Sequence, residues 1–448
     1  MMTQTQNSMR STVVVGLGAT GLSCLRFLRR RGEVLWATDS RAEPPGRREA
    51  ADLVDRPLAL GGLDAALILD ADRVIVSPGV AADLPVLQQA RTAGREVFGD
   101  IELFARHANA PVVAITGSNG KSTVTSMLAA MAEQAGFDAA VGGNLGTPAL
   151  ELIRESAPDA YFLELSSFQL ETTDSLRPVA AVVLNVSADH MDRHQSVERY
   201  AAIKSRIYNG DGVMLVNADD PRVLAMARDG RHVIRFSTLA PANDEDYGLL
   251  ERGGEVWLMR GGEQLMPASA LLVRGRHNLA NALAALALAR VLDLPLAACR
   301  RALQAFPGLP HRGQWLARKG GVDWFNDSKA TNVGAAAAAI AGMPGPLVLL
   351  LGGDGKGADF TPLADCMDQR IRAVVLLGQD APQIAAVLSG RVDLHQAADL
   401  QHAVRLAAEL AQAGDSVLFS PACASFDMFE NYQARGDAFA EAVGRLPA

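Results

Sequence analysis

The segment VVAITGSNGKSTVT, residues 112–125, joins an apolar run to a glycine-rich turn and then to residues that favour a helix. Glycines in such a turn let backbone N–H groups point at a phosphate, and the helix N-terminus adds a positive dipole. Lys121 would then reach the β- and γ-phosphates of a nucleotide, and the Ser122 hydroxyl would hold Mg²⁺. A ligand-free turn capped by serine is the alternative. The strand–loop–helix order together with GKST favours the phosphate site, although the loop is one residue tighter than the usual pattern.

Short apolar runs alternate with helical stretches on both sides of this segment, as in TVVV at 12–15 and PLVLLL at 346–351. Such runs are typical of buried parallel strands, so the sequence predicts an α/β protein built from βαβ units. The length of 448 residues suggests about three domains. We predict a Rossmann-like N-terminal domain over residues 1–99, a P-loop ATPase-type central domain over 100–308 and a Rossmann-like C-terminal domain over 309–448.

The composition limits the class of partner. The chain has 42 Lys and Arg against 50 Asp and Glu, a formal net charge of −8, and only 5% aromatic residues. A protein that held nucleic acid or an anionic membrane through its overall field would carry the opposite sign. The four cysteines are far apart, which argues against disulfides and zinc and fits a reducing compartment. We therefore expect a soluble cytoplasmic protein with local anion sites, and neither nucleic acid nor a membrane as partner.

A second glycine-rich turn, GLGATG at 16–21, follows the first apolar run, and Asp39 stands at the end of the next one. This is the pattern of a dinucleotide site, in which the acid binds a ribose hydroxyl. The pattern alone does not identify the nucleotide. On the residues alone, NAD, another nucleotide and a tight turn without a ligand all stay open.

Other polar residues also follow apolar runs. Glu164 stands where a magnesium-organising carboxylate would be needed, whereas Glu171 is expected to be a solvated helix residue. His190 lies on a strand-end loop and is either functional or a surface histidine. In the third predicted domain, NDSKATN at 326–332 and GGDGKG at 352–357 add cations. Anion sites at strand ends in all three domains suggest that three anionic ligands meet in one cleft.

In chain order, GSNGKST, ELSSFQLE, NVSADHMDRH, GRHNLANALAALALA, LPHR, NDSKATN, LGGDGKGADF and SPACASFDMFENYQARG resemble the motifs of the Mur ligases of peptidoglycan synthesis. The resemblance covers nearly the whole chain. It implies ATP-dependent amide formation, in which a substrate carboxylate becomes an acyl phosphate and an amino-acid amine displaces the phosphate. NDSKATN, SPACASFD and the short length favour the member that adds D-glutamate to UDP-N-acetylmuramoyl-L-alanine.

The resemblance also implies site residues, motif by motif. The implied ATP residues are Gly117, Ser118, Asn119, Gly120, Lys121, Ser122, Thr123, Asn281, Arg312 and Asp327. The implied UDP-substrate residues are Ala19, Thr20, Asp39, Ser40, Arg41, Ser77, Gly79, Asn144 and His190. The implied D-glutamate residues are Lys329, Thr331, Lys356, Ser425 and Tyr432, the last mainly through its backbone. Two Mg²⁺ ions are implied on Ser122, Glu164, His190 and Lys204, and the implied catalytic residues are Lys121, Glu164, His190 and Lys204.

The resemblance changes the interpretation of Lys204 most. On the residues alone it is a solvated lysine of the helical stretch YAAIKSRIY, 200–208. The resemblance implies that its amine adds CO₂ and becomes a carbamate, an anionic oxygen ligand of the kind that Mg²⁺ prefers. This addition needs a deprotonated amine, and therefore a site that lowers the lysine pKa.

The resemblance replaces NAD by UDP as the expected ligand of GLGATG and implies small-molecule substrates. We also expect the protein to be a monomer. Another Mur ligase or a folylpolyglutamate-type ligase is the alternative within the same class. A nicotinamide-dependent oxidoreductase and a non-catalytic nucleotide sensor are the alternatives from other classes. An oxidoreductase would give no role to Lys121 and Glu164, and a sensor would bind ATP without releasing phosphate.

Overall fold

The computed structural model describes residues 10–273, 275–343 and 345–447. These residues form three β-sheets with their surrounding helices, which we call the N-terminal, central and C-terminal units. No helix in the described ranges is long and apolar enough to cross a membrane. The α/β architecture with three units agrees with the fold predicted from the sequence, and the limits 1–99, 100–308 and 309–448 stay predictions.

The N-terminal unit has a five-stranded, wholly parallel sheet in the order β3-β2-β1-β4-β5. Its strands β1 to β5 are Ser11–Val15, Val34–Asp39, Ala59–Leu60, Arg73–Val76 and Glu96–Gly99. Its helices α1 to α5 are Ala19–Arg30, Arg47–Leu53, Ala65–Asp70, Pro85–Thr92 and Asp100–Ala105. The strand order reverses between β1 and β4, and ligands of such sheets bind at the carboxyl ends of the strands at this point.

The central unit has a nine-stranded sheet in the order β14-β13-β12-β11-β10-β9-β6-β8-β7. Its strands β6 to β14 are Val112–Thr116, Ala139–Gly143, Ala160–Glu164, Ala180–Val183, Val213–Asn217, Val233–Phe236, Tyr247–Arg252, Glu255–Arg260 and Glu263–Pro267. Its helices α6 to α12 are Lys121–Ala135, Ser167–Glu171, Met191–His194, Val197–Ser205, Pro221–Leu224, Arg276–Val291 and Leu296–Ala305. Strands β12 to β14 pair antiparallel with one another at one end of this sheet.

The C-terminal unit has a six-stranded sheet in the order β15-β16-β20-β17-β18-β19, antiparallel only between β15 and β16. Its strands β15 to β20 are Gln314–Lys319, Val322–Asn326, Leu347–Leu351, Ile371–Leu376, Leu394–Gln396 and Ser416–Phe419. Its helices α13 to α17 are Val333–Gly342, Thr361–Ala364, Ala381–Leu388, Leu400–Leu410 and Tyr432–Gly444.

The buried apolar clusters show which of the three units pack against each other. One buried cluster runs through two units and joins Val14 and Leu25 of the N-terminal unit to Leu163 and Val183 of the central one. The clusters of the C-terminal unit contain only its own residues among those described. Because burial of apolar surface is the main force holding units together, the first two units form one packed body. Polar contacts, such as that of Arg312 with Ser122 and that of Asn332 with Asn119, join the C-terminal unit to this body, and a cleft opens between them.

Candidate active site

The loop GSNGKST connects strand β6 of the central unit to the helix α6, as the sequence predicted. Gly120 has a φ of 85°, a left-handed conformation that favours glycine. A Cβ atom there would lie 2.6 Å from Oδ1 of Asn281, so a side chain would clash with the helix α11. The tight loop thus depends on this glycine, and it turns the N-terminus of α6 toward the cleft.

Lys121 lies folded over its own loop. Its Nζ donates hydrogen bonds of 2.9 Å to the carbonyl oxygens of Gly117 and Ser118. Burial lowers the pKa of Lys121 from its usual value. Arg312, from the C-terminal unit, donates through Nη2 to Oγ of Ser122 at 2.7 Å. Two cations from different units therefore meet at the phosphate loop, where a polyphosphate would find charge of the opposite sign.

A cavity of about 350 Å³ opens on one side of the loop, between the central and C-terminal units. Of the predicted ATP residues, it is lined by Asn119, Gly120, Thr123, Asn281, Arg312 and Asp327. Burial raises the pKa of Asp327 to about 7. Its two carboxyl oxygens accept hydrogen bonds from the N–H of Gly313 and the hydroxyl of Ser420. Because this cavity adjoins the phosphate loop, it lies where the nucleoside end of a nucleotide would extend if its phosphates lay on the loop.

A second cavity, of about 540 Å³, opens on the other side of the loop. It brings together the predicted residues Ser118, Lys121, Ser122, Asn144, Glu164, His190, Lys204, Arg312, Lys329, Thr331, Lys356, Ser425 and Tyr432. Asn119, Gly120, Arg312 and Lys329 line both cavities, so the two form one cleft. Gly117 lines neither of them and contributes its carbonyl oxygen to Lys121.

Glu164 ends the strand β8 and is 2% exposed. Its Oε1 accepts a 2.7 Å hydrogen bond from Nδ2 of Asn144, whereas its Oε2 is buried and has no partner. An unpaired buried carboxylate oxygen is costly and fits a position where a cation binds. No group of three or more His, Cys, Asp or Glu side chains in the described ranges could hold a metal by itself. Magnesium would thus need further oxygen atoms, from the Ser122 hydroxyl, from a nucleotide or from a modified side chain.

Lys204, on the helix α9, is 1% exposed, so the interpretation as a solvated lysine is wrong. Its Nζ donates a 2.9 Å hydrogen bond to the carbonyl oxygen of Gly117 and lies 4.4 Å above the ring of Tyr200. In the described part of the chain, no carboxylate lies within ion-pair distance of this Nζ. Burial, and then the charge of Lys121, lower the pKa of Lys204 well below its usual value. The amine therefore has a strong tendency to be neutral.

The loop after β9 contacts the C-terminal unit through Asp189. Its Oδ1 accepts a 3.0 Å hydrogen bond from Nζ of Lys356, and its Oδ2 accepts one of 3.2 Å from Nδ2 of Asn332. The amides of Asn332 and Asn119 also exchange hydrogen bonds of 3.3 and 3.4 Å. Together these contacts join the phosphate loop, the loop after β9 and the start of α13 across the cleft.

Lys329 is a further cation in the C-terminal wall, and its Nζ lies 4.0 Å above the ring of Tyr432. Burial, and then the charge of Arg312, lower the pKa of Lys329 to about 8. Tyr432 accepts a 2.9 Å hydrogen bond from Ser328 through its backbone oxygen. The ring of Tyr432 thus covers a predicted D-glutamate lysine, a contact that the sequence did not indicate.

A third cavity, of about 410 Å³, lies at the reversal point of the N-terminal sheet. Its lining includes all of the predicted uridine-diphosphate residues of this unit, Ala19, Thr20, Asp39, Ser40, Arg41, Ser77 and Gly79. Nε and Nη2 of Arg41 donate hydrogen bonds of 2.9 and 2.7 Å to the two carboxylate oxygens of Asp39. These hydrogen bonds lower the pKa of Asp39 to about 2. Asn144 and His190, the other predicted substrate residues, lie in the second cavity beside Glu164.

Several residues of the site were missed or wrongly interpreted from the sequence. The expectation of a solvated Glu171 is wrong, because its side chain is 11% exposed and accepts from Arg193 at 2.9 Å. Asp189 lies within a motif from which only His190 was selected. Arg435 is fully buried and donates to carbonyl oxygens of residues 328, 423 and 424, so it ties together the two loops that carry Lys329 and Ser425. A lone arginine on α17 gives no sequence signal for this role.

Three family models match successive parts of the chain. They are the Mur ligase MurD-like N-terminal domain over residues 10–99, the Mur ligase middle domain over 115–289 and the Mur ligase glutamate ligase domain over 311–423. The chain therefore belongs to the Mur ligase family, as the resemblance of its motifs implied.

Relatives that share one name match the chain over nearly their whole length. A protein from Nitrosococcus oceani named UDP-N-acetylmuramoylalanine–D-glutamate ligase is 56% identical over 439 residues, with 97% of each chain covered. A protein of the same name from Methylococcus capsulatus is 49% identical over 435 residues, which cover 97% of this chain and 94% of that protein. The solved structure of UDP-N-acetylmuramate-alanine ligase from Thermotoga maritima matches with a TM-score of 0.59 at 20% identity, covering 97% and 99% of the two chains, and shows the shared fold.

Proposed function

We propose that this chain is an ATP-dependent ligase that joins D-glutamate to UDP-N-acetylmuramoyl-L-alanine, with release of ADP and phosphate, in peptidoglycan synthesis. The observation that carries the proposal is the single cleft in which Lys121 and Arg312 meet Glu164, Lys204, Lys329 and Lys356. Such a cleft can hold a polyphosphate and two carboxylate substrates side by side. The relatives from Nitrosococcus oceani and Methylococcus capsulatus have the same activity in their names.

The reaction divides into two displacements. A carboxylate oxygen of the UDP-substrate attacks the γ-phosphorus of ATP, and the bond from this phosphorus to the ADP oxygen breaks. The neutral amine of D-glutamate then attacks the carbonyl carbon of the acyl phosphate, loses a proton and expels phosphate. Lys121 and Arg312 stabilise the charge that develops on the transferred phosphoryl group. The walls from the central and C-terminal units exclude water, which would hydrolyse the acyl phosphate.

Magnesium, bound here, would neutralise the charge of the phosphates and so let the carboxylate approach. We assign the binding of two such ions to Ser122, Glu164, His190 and Lys204, together with ATP. The unpartnered Oε2 of Glu164 supports this assignment. Asn144 restrains the carboxylate by its 2.7 Å hydrogen bond to the other oxygen, and both residues line the second cavity.

We further propose that Lys204 is carbamylated. The neutral amine adds to the carbon of CO₂ and loses a proton to solvent, which leaves an anionic carbamate. Burial and the absence of an ion-pair partner among the described residues favour the neutral amine that this step needs. The carbamate would supply the oxygen ligand that an ammonium group cannot supply.

The two ends of the UDP-substrate would occupy different cavities. The uridine diphosphate lies in the N-terminal cavity at Ala19, Thr20, Asp39, Ser40, Arg41, Ser77 and Gly79, and the lactyl-alanine end reaches Asn144 and His190. D-Glutamate binds at Lys329, Thr331, Lys356 and Ser425, with Tyr432 over Lys329. We propose that the enzyme acts as a monomer in the cytoplasm, because one chain carries all three ligand sites and ATP is an intracellular substrate.

Phosphate release tests the function. The purified chain, ATP, Mg²⁺ and UDP-N-acetylmuramoyl-L-alanine are mixed with each amino acid in turn, including both glutamate enantiomers. Among the amino acids tested, we expect phosphate release only with D-glutamate. The Lys121→Ala variant should release no phosphate with any of them. Release with L-alanine, a diamino acid or a dipeptide instead would indicate another ligase of the family. ATP binding without release under every condition would indicate a nucleotide sensor.

A further inference from the structure

Behind the cleft lies a cluster of four rings, Phe168, His190, His194 and Tyr200, which we call the His194 cluster. His194 ends the four-residue helix α8 and is fully buried, with 0% of its surface exposed. Its ring lies 5.3 Å from that of Phe168 at an interplanar angle of 19°, and 5.0 Å from that of Tyr200 at 34°. Two aromatic rings therefore pack against the ring of His194.

Each neighbour of His194 contacts a group assigned to the metal site. The ring of Phe168 meets the His190 ring edge-on at 5.0 Å. The ring of Tyr200 lies 4.4 Å below Nζ of Lys204, and its hydroxyl lies 3.5 Å from Oγ of Ser118 in the phosphate loop. His194 thus contacts both of the aromatic side chains that lie against His190 and Lys204.

Only one of the two ring nitrogens of His194 has a hydrogen-bond partner among the described residues. Its Nε2 lies 2.9 Å from Oγ of Ser167, but its Nδ1 is buried without a partner. A ring held mainly by polar contacts would not leave a nitrogen unpaired at this depth. The packing of Phe168 and Tyr200 against the ring therefore contributes to its position, since aromatic pairs at these distances are favourable beyond the area they bury.

The local backbone explains how His194 reaches this position. His190 has a φ of 55° and Gln195 a φ of 66°, so both ends of α8 turn through the left-handed region. The N–H of His194 donates a 2.9 Å hydrogen bond to the carbonyl oxygen of His190. Ser196 then caps α9, the helix that carries Lys204. These turns bring His194 against Phe168 and Tyr200, which in turn contact His190 and Lys204.

We infer that His194 is a positioning residue that fixes His190 through Phe168 and Lys204 through Tyr200, and so sets the magnesium affinity and carbamylation of the site. This inference rests on the proposed function. His194 itself touches no substrate or metal in this role. Removal of its ring would let both neighbours tilt, and each assigned ligand would lose its orientation.

Two variants separate the ring from its polar atoms. His194→Ala removes the ring, and we expect it to weaken Mg²⁺ binding about 10- to 100-fold, as loss of residues that orient metal ligands commonly does. His194→Phe keeps the stacked faces and loses only the contact with Ser167, so we expect wild-type affinity. Calorimetry measures Mg²⁺ binding in the presence of UDP-N-acetylmuramoyl-L-alanine and a non-hydrolysable ATP analogue. Carbon-13 NMR in labelled bicarbonate detects the carbamate independently, and its signal should fall in His194→Ala and persist in His194→Phe.

A matched control comes from the N-terminal unit. His107 packs edge-on against Phe27 at 5.1 Å, far from the cleft, and His107→Ala should leave both readouts unchanged. Wild-type Mg²⁺ affinity and carbamate signal in His194→Ala would overturn the inference. If His194→Ala does not fold, His194→Phe decides, because a loss of Mg²⁺ affinity in this variant would overturn the role of the ring faces. A wild-type chain without Mg²⁺ binding or carbamate would overturn the assigned metal site itself, and the inference with it.

Discussion

Nζ of Lys356 lies 3.0 Å from Oδ1 of Asp189, and this ion pair joins the C-terminal unit to the loop after β9. Both side chains are largely buried, with 23% and 10% of their surfaces exposed. Burial works against the charge of Asp189, but His190 and then Lys356 outweigh it and lower the pKa of Asp189. A protein carboxylate therefore neutralises Lys356 in the cleft where the carboxylates of D-glutamate are proposed to bind.

Lys356→Ala tests this assignment. We expect it to raise the KM for D-glutamate about tenfold or more, since hydrogen bonds to charged groups contribute about 1.5–3 kcal/mol. The KM for ATP should change far less, because Lys121 and Arg312 serve the phosphates. Steady-state phosphate release with each substrate varied gives both constants. Lys319→Ala, at a lysine that bonds the backbone oxygen of Leu446, is the matched control. Equal increases in both constants would indicate a phosphate role for Lys356.

Lys204→Ala tests the carbamate. We expect nearly complete loss of ligase activity, because the variant lacks the proposed oxygen ligand. A small carboxylate such as acetate should restore part of the rate by filling the vacated oxygen position. Phosphate release across an acetate series measures the restoration, with Lys121→Ala as the variant that acetate should not restore. Full activity of Lys204→Ala, or of the wild-type chain in CO₂-free buffer, would exclude the carbamate.

The N-terminal cavity is expected to bind a UDP-sugar and not NAD. Calorimetry with UDP-N-acetylmuramoyl-L-alanine and with NAD compares the two ligands directly. Arg41→Ala should weaken binding of the UDP-substrate, since the guanidinium lines the cavity and would otherwise contact the diphosphate. Tight NAD binding with no response to the UDP-substrate would reverse the assignment.

Asp100, the first residue of α5, gives a prediction on stability. Burial raises the pKa of this carboxyl from 3.8 to about 6, and its Oδ1 has no hydrogen-bond partner. A folded-state pKa above the unfolded one destabilises the native state once the pH exceeds the unfolded value, and the cost is complete above the folded pKa. Asp100→Asn keeps an acceptor for Nε2 of Gln169 and removes the charge. We expect it to raise the free energy of unfolding by up to about 3 kcal/mol at about pH 8, and by little at about pH 4.

Urea denaturation at both pH values measures the effect. Asp415→Asn is the control, for which we expect the opposite change in the free energy of unfolding. Burial also opposes the charge of Asp415, but the hydrogen bonds from Arg372 and the Gln412 N–H outweigh it and lower its pKa. This variant should therefore destabilise the chain near neutral pH. A destabilised Asp100→Asn at about pH 8 would contradict the proposed cost of burying this carboxylate.

Features that depend on local order along the chain are the ones that the sequence predicts best. The positions of Lys121 and Glu164 at the sheet edge could be predicted because the end of a buried strand has a fixed direction there. The apolar run AAVVLNV at 180–186 continues beyond the end of its strand, which lies at Val183. Beyond it the carbonyl oxygen of Asn185 accepts from the N–H of Ser118 at 2.9 Å, so the backbone there pairs with the phosphate loop and leaves the strand ladder.

Contacts between distant residues could not be predicted in the same way. Asp189 and Lys356 are 167 positions apart, and no spacing rule says which side chains from two units will meet. Lys204 was assigned a special role only by resemblance, because its burial comes from the packing of α9 against the phosphate loop and not from its own segment. No sequence pattern indicated that the ring of His194 is buried, since a histidine near a functional loop can be exposed or buried.

Oxygen transfer from the substrate carboxylate to phosphate tests the proposed acyl-phosphate reaction most directly. UDP-N-acetylmuramoyl-L-alanine labelled with oxygen-18 in both carboxyl oxygens is converted with ATP and D-glutamate, and the products are analysed by mass spectrometry. The acyl phosphate predicts one labelled oxygen in each released phosphate and one retained in the new amide. Unlabelled phosphate together with an amide product would contradict the attack of this carboxylate on ATP.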